Sequence, residues 1–428
     1  MTKGHGMRRA LALPAVALAS VLAVVSCSTV AQQSSEAPGR ATDVATGVGV
    51  SRSEITLGAL TDQSGPFKEL GLGVVQGNQI WINETNVDGG ICGRQIKLAV
   101  RDHGYDVDKA QDHYPALEPN VLGFMQIMGS QASAALSQKL VYNETTAVAL
   151  SQSSELLANP YMIVPGTTYD VEMINGLSYL METGRLRDGD TIGHIWIDDE
   201  YGANALRGTR YFAEKHRLTV RDAKITATDS DLRDAVAGFV RDPRVTAIAL
   251  TTTPEQAASA AVANQQLGLN VPMIGNNPVF TPQLLEGPAA AALVNLTVVA
   301  SSVPFSSDVP QAQQVAQAFQ QGGFEGRPNS GVPYGYAIGE IWGELLQRAC
   351  SNGDLTRAGI QEALRQSVDI TTDNLVADLD FVESGAPAAR EVYAGVPDAF
   401  VPGGIRVVKP LFVAPEARSY AAPHQNGA

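Results

Sequence analysis

From residue 54 onward, short apolar runs alternate with longer stretches whose apolar residues recur at helical spacing. Residues 55–60 (ITLGAL) predict a strand, and 71–86, carrying Val74, Val75, Ile80 and Ile82, predict a helix. The alternating 95–100 (QIKLAV) predicts a second strand, 108–118 a helix, 123–128 (GFMQIM) a third strand, 133–142 a helix and 146–150 a fourth strand. Past residue 169 the rhythm resumes. Helices are predicted over 171–183, 203–215, 231–241 and 254–267, with strands over 191–197 (TIGHIWI), 219–225, 245–250 (VTAIAL) and 271–275. Repeated strand–helix units joined by short loops rich in Gly, Asp and Pro imply parallel sheets wrapped by helices. Two such runs give two sheets, hence an α/β protein of two lobes.

In parallel sheets a ligand binds in the crevice beyond the carboxyl ends of the strands. The loops at those ends are 61–67 (TDQSGPF), 129–133 (GSQAS), 151–154 (SQSS), 198–202 (DDEYG), 251–253 (TTT) and 276–277 (NN). They offer hydroxyls, amides and the rings of Phe67 and Tyr201, which together suit a small polar molecule. Some of these Ser and Thr residues would stand here as helix N-caps in any α/β protein.

The N-terminal segment changes the picture of where the chain works. Lys3, Arg8 and Arg9 precede an almost wholly apolar 10–25 that closes on Ser26-Cys27. That is the layout of a secretory signal, and the run falls short of the roughly 20 residues a spanning helix needs. Residues 24–27 (VVSC) resemble a bacterial lipobox, whose cysteine, here Cys27, receives diacylglycerol and becomes the new N-terminus. An ordinary signal peptide with a chance cysteine is the alternative. Residues 1–26 are thus expected to be a lipoprotein signal peptide and the polar 27–51 a flexible tether. The expected location is extracytoplasmic, at the cell membrane. Loss of the three basic residues moves the formal net charge from −14 to −17, which suits solubility and argues against nucleic acid as a partner. About 375 residues then remain, comfortable for two domains. With Cys27 lipidated, Cys92 and Cys350 are left in an oxidising compartment, where a disulfide between them is expected and two buried thiols are the alternative.

The order of the signals resembles the type I periplasmic binding proteins of branched-chain amino acid and amide ABC transporters. The resemblance spans about 54–400. It rests on Ser64-Gly-Pro-Phe67, 88–94 (DGGICGR), 199–202 (DEYG), 267–272 (LGLNVP), and Tyr334-Gly-Tyr336 opening a long helix through Ile341, Trp342, Leu345 and Leu346. It implies two lobes, each with a parallel sheet flanked by helices, joined by three hinge crossovers near 164–168, 299–305 and 368–379. Lobe 1 is then 52–165 plus 304–368 and lobe 2 is 166–303 plus 369–415, with 416–428 a flexible tail. In such proteins the first lobe holds a carboxylate by hydroxyls and backbone N–H groups, which implies Gln131, Ala132 and Ser133 with Ser153 and Ser154. The second lobe contributes a tyrosine and a following hydroxyl, which implies Tyr201 with Thr252 or Thr253. Phe67 and Asn277 complete the expected ligand shell. Relatives that bind amino acids place a carboxylate where this chain has Asn276-Asn277. Either another acid such as Glu155 or Asp199 holds an ammonium group, or the ligand is an amide, a urea-like compound or an organic acid.

The resemblance implies a monomer that closes on a small-molecule ligand about its hinge and delivers it to ABC permease subunits, with no cofactor. Presentation of the ligand to a membrane signalling partner is the alternative. An enzyme is not indicated: the chain has no GxSxG, HExxH, P-loop or GxGxxG opening a helix after a strand. Gly71-Leu-Gly73 falls within a predicted helix and reads as helix packing. His103, His113, His194 and His216 stand alone, so neither a metal site nor a triad is expected. The acidic 198–200 reads as a solvated turn capping the next helix.

Overall fold

The computed structural model describes residues 44–425. After a two-residue strand β1 (Ala45–Thr46), the first sheet comprises β2 (Glu54–Thr61), β3 (Gln95–Asp102), β4 (Phe124–Ile127), β5 (Ala147–Ala149) and β6 (Met162–Ile163). Their order is β3-β2-β4-β5-β6 and every pairing is parallel. Helices α1 (Lys68–Val87), α2 (Val107–Leu117) and α3 (Ser130–Tyr142) make the crossovers. Central β4 is buried at every position, whereas in edge strand β3 only Ile96 is buried and Gln95, Lys97 and Arg101 are exposed.

The second sheet begins with β7 (Thr191–Ile197), β8 (Thr219–Ile225), β9 (Val245–Thr251), β10 (Met273–Gly275) and β11 (Leu296–Ala300), linked and flanked by α4 (Tyr169–Glu182), α5 (Glu200–His216), α6 (Arg233–Val240) and α7 (Pro254–Gln266). The chain then returns to the first lobe with α8 (Pro310–Gln321), α9 (Gly331–Ser351), β12 (Asp354–Leu355), α10 (Arg357–Gln366), β13 (Asp369–Ile370) and β14 (Leu379–Asp380). Here β12 pairs with β1, and β13 with β14. Finally β15 (Val392–Pro397) and β16 (Ile405–Phe412) extend the second sheet, and α11 (Pro415–Ser419) packs beside α4. Strand order in the second sheet is β16-β15-β11-β10-β9-β7-β8, parallel except at β15, which is antiparallel to both of its neighbours, β11 and β16. The sequence pattern had not shown this antiparallel pair.

Each lobe has its own core, one around Ile55, Leu57, Ile338 and Trp342 and the other around Ile195, Phe212, Ile248 and Leu250. Helices α1 and α9 lie in backbone contact because glycines face each other. A Cβ on Gly77 would stand 2.0 Å from the Val332 carbonyl oxygen, and one on Gly335 would stand 2.1 Å from that of Val74. Cys92 and Cys350 form a disulfide with Cα atoms 6.0 Å apart, tying the loop before β3 to the end of α9 within the first lobe.

Two boundaries differ from expectation. The third crossing was expected at 368–379, but Ile370, Leu375, Val376, Leu379, Ala388 and Ala389 pack into the first core, and the chain joins the second sheet only at Val392. Apolar spacing in this irregular stretch is too short to announce which core it serves. Nor is the tail free as far as residue 425. Ala417, Tyr420 and Ala422 are buried, and the Arg390 guanidinium donates to the carbonyls of Ala417 and Tyr420, each at 2.8 Å. The Tyr420 hydroxyl donates to Asp170 at 2.9 Å. The expected signal peptide, Cys27, most of the tether and residues 426–428 lie outside the described residues.

Candidate functional site

Between the lobes, at the carboxyl ends of both sheets, lies a cavity lined by residues of both lobes. It is narrow, for only about 60 Å³ is open to the centre of a water molecule. The first lobe supplies Phe67 after β2, Leu70 and Val74 on α1, Tyr105 after β3, Met128, Gly129 and Ser130 at the start of α3, Leu150 after β5, and Gly331 and Tyr334 on α9. From the second come Tyr169 at the start of α4, Tyr201 at the start of α5, and Asn277 and Pro278 after β10. Among the described residues no charged side chain lines it. The wall is apolar over most of its extent, with hydroxyls concentrated on the tyrosines and Ser130.

Local hydrogen bonding explains why these rings point inward. The buried Asp62 carboxylate accepts from the backbone N–H groups of Gly65 (2.5 Å) and Phe67 (2.9 Å), curling 62–67 so that Phe67 faces the cavity. Phe67 meets Tyr105 with ring centroids 4.7 Å apart, and across the cavity Tyr169 meets Tyr201 at the same 4.7 Å. Gly129, at φ +96°, turns the chain from β4 into α3, and a Cβ there would stand 3.1 Å from the Tyr105 ring. No side chain caps α3. Its first N–H groups have no intrahelical acceptor, and Gly129 and Ser130, where the helix starts, line the cavity.

The Tyr201 hydroxyl is buried without a hydrogen-bond partner among the described residues. Burial raises the Tyr201, Tyr105 and Tyr169 phenols well above their ordinary value, so all three are neutral donors. A free phenol and a free helix N-terminus suit an acceptor group, above all a carboxylate.

The lobes are closed over this space. Tyr105 donates to Asp199 at 3.4 Å, Gln283 to Glu69 at 2.8 Å, and Ser330 to Asn277 at 3.3 Å. Arg327 pairs with Glu286 at 2.6 Å and Arg207 with Glu155 at 2.6 Å. Burial beneath the opposite lobe pushes the Asp199 carboxyl up to about 6. A carboxyl exposed in an open cleft titrates near ~4, so the closed form binds the proton more tightly. The cost of burying the charge is full above pH 6 and fades below it. Ligand affinity is therefore expected to rise about two- to fourfold as pH falls from 7.5 to 5.5, as read by titration at each pH. Asp199→Asn, which retains a cap for the Gly202 N–H, should flatten the profile.

Comparison with known proteins places this geometry. A family model described as periplasmic binding protein matches residues 54–398. The chain belongs to the periplasmic binding protein family. Its architecture is the type I form of ABC transporter substrate-binding proteins, which makes it a solute-binding protein. A solved structure described as a fatty acid ABC transporter substrate-binding protein from Thermomonospora curvata shares 37% identity, with 89% of this chain and 97% of that one aligned and a TM-score of 0.86. A branched-chain amino acid ABC transporter structure from Thermus thermophilus, with bound valine, shares the fold at 15% identity, 86% and 99% coverage and a TM-score of 0.76. A possible leucine/isoleucine/valine-binding protein from Rhodopirellula baltica does so at 19% identity, 85% and 98% coverage and a TM-score of 0.73. Curated protein sequences gave no match.

Among the expected ligand residues, this binding protein places Phe67, Tyr201 and Asn277 on the cavity wall. The others serve the scaffold. Gln131 is exposed, Ala132 packs with Leu136 and Leu140, and the Ser133 hydroxyl turns back to the Ile127 carbonyl. At the start of α3 it is Gly129 and Ser130 that line the cavity. Ser153 caps the short helix that follows it, and Ser154 donates to Asp170 at 2.7 Å. Thr253 forms a capping box with Gln256, and Thr252 is fully buried away from the cavity. Asn276 turns inward and donates to Glu172 at 3.1 Å. Burial raises that glutamate to about 8. Glu155 pairs with Arg207 and His424, so neither it nor Asp199 reaches the cavity. The cleft expected from the loops was polar, and the observed wall is not. Among the described residues no cluster of metal-ligating side chains occurs and no helix is long and apolar enough to cross a membrane.

Proposed function

We propose that this binding protein captures an apolar carboxylic acid of the fatty-acid class and passes it to the permease of an ABC transporter. The observation that carries the reading is an apolar cavity, free of charged side chains, with the unpartnered Tyr201 hydroxyl and the uncapped start of α3 as its polar features. A carboxylate accepts hydrogen bonds from both, while the hydrocarbon lies against Leu70, Val74, Met128, Leu150 and Tyr334. An α-amino acid is poorly served, because its ammonium group would lack a carboxylate partner. The relative from Thermomonospora curvata, described as a fatty acid substrate-binding protein, supports the same class. The first lobe docks the acid, closure brings Tyr201 onto it, and the closed pair of lobes is what the permease reads. A lipid on Cys27 would hold the monomer at the membrane.

Tyr201→Phe tests the head-group assignment. The variant should bind a medium-chain alkanoate about tenfold more weakly by titration calorimetry, since a hydrogen bond to a charged group is lost. The primary alcohol of equal length should lose less. Equal binding of the acid by both proteins, or no acid binding by either, would overturn the reading.

A further inference from the structure

Beside the first cavity lies a second, narrower space, with about 20 Å³ open to the centre of a water molecule, and Asn277 lines both. Its other walls are mainly apolar, among them Phe280, Val298, Phe305 and Ile405. It stays open because three wall positions carry little or no side chain: Ala300 on β11, Gly395 on β15, and Gly403 at φ +80°. A Cβ on Gly395 would stand 2.3 Å from Ile405, and one on Gly403 would stand 2.7 Å from Phe305. At the junction Ser330, which lines the second space and adjoins Gly331 of the first, donates to Asn277 at 3.3 Å from the opposite lobe. This hydrogen-bonded pair of small polar side chains stands where the two linings meet. The hydroxyl of Ser302, also on the second wall, is buried and without a partner among the described residues.

We infer that the two spaces form one bent channel, in which the second takes the far end of a long unbranched hydrocarbon chain once the Asn277–Ser330 pair swings aside. The inference rests on the fatty-acid reading and adds a length preference to it. Branched amino acids and short acids end before the junction. Long acids cross it, and every methylene group buried beyond it strengthens binding roughly fourfold until the second space is full.

The test is titration calorimetry of wild-type protein and Ala300→Leu with octanoate and tetradecanoate, each below its micelle concentration. Wild-type protein should prefer tetradecanoate by at least tenfold. Ala300→Leu should hold octanoate within about twofold of wild type, which also shows that it folds, and lose tenfold or more for tetradecanoate. Octanoate binding unchanged in both proteins, with equal tetradecanoate affinity, would overturn the channel and leave the first cavity's assignment standing. Failure of both acids to bind wild-type protein would overturn the assignment and the channel together.

Discussion

Leu150→Asp is expected to abolish capture of an apolar ligand, lowering affinity by about 100-fold or more in a titration. Leu150 stands just after β5, half-buried, with its side chain on the cavity wall. Aspartate there would be solvated while the cleft is open and stripped of water when a hydrocarbon arrives and the lobes close. Among the described residues nothing positively charged lines the cavity to compensate, so desolvating the new carboxylate costs several kcal/mol. It would also repel a ligand carboxylate. Leu150→Ala removes hydrocarbon contact without adding charge and should show a smaller loss. Because Leu150 sits at the cavity surface, the melting temperature of both variants without ligand should stay near that of wild type. A polar ligand bound through the loop hydroxyls would tolerate Leu150→Asp far better.

The largest effect on stability is expected from Cys92→Ser with Cys350→Ser. The bridge closes 258 residues of chain, and removing such a link typically lowers unfolding free energy by about 2–5 kcal/mol. Denaturant unfolding should show the loss. Both cysteines belong to the first lobe and neither lines the cavity, so affinity should change by less than about twofold. A collapse of affinity in a variant that still folds would mean that the bridge also sets the closure geometry.

Much of the fold could be read in advance because buried parallel strands leave continuous apolar runs. Residues 191–197 and 219–225 were placed to the residue, and the helix expected from Pro254 begins there as α7. The β15–β16 pair escaped, since it is interrupted by register shifts near Ala394 and Gly395 and carries Gly and Pro within short strands. The site was legible as a place more than as a chemistry. Loops after the strands do surround the cavity, yet their Ser and Thr side chains mostly serve caps and turns, as with Ser153 and Thr253. The wall is instead built from residues that read as core. Leu70 and Val74, four apart on α1, look like any buried helix face. Tyr105 takes a left-handed conformation at φ +63° that no spacing announces. Tyr169 and Tyr334 stand near the starts of helices most of whose residues are buried. Whether such residues fill a core or line a cleft depends on how two lobes meet, and that is a property of the tertiary fold.

The most direct test is a calorimetric titration of protein refolded free of carried-over lipid. It would be titrated with dodecanoate and, separately, with L-leucine and L-valine. Saturation of a single site by dodecanoate, with no heat from either amino acid, is the expected result. Tight binding of leucine or valine, with dodecanoate inert, would contradict it and return the site to the branched-chain amino acid class.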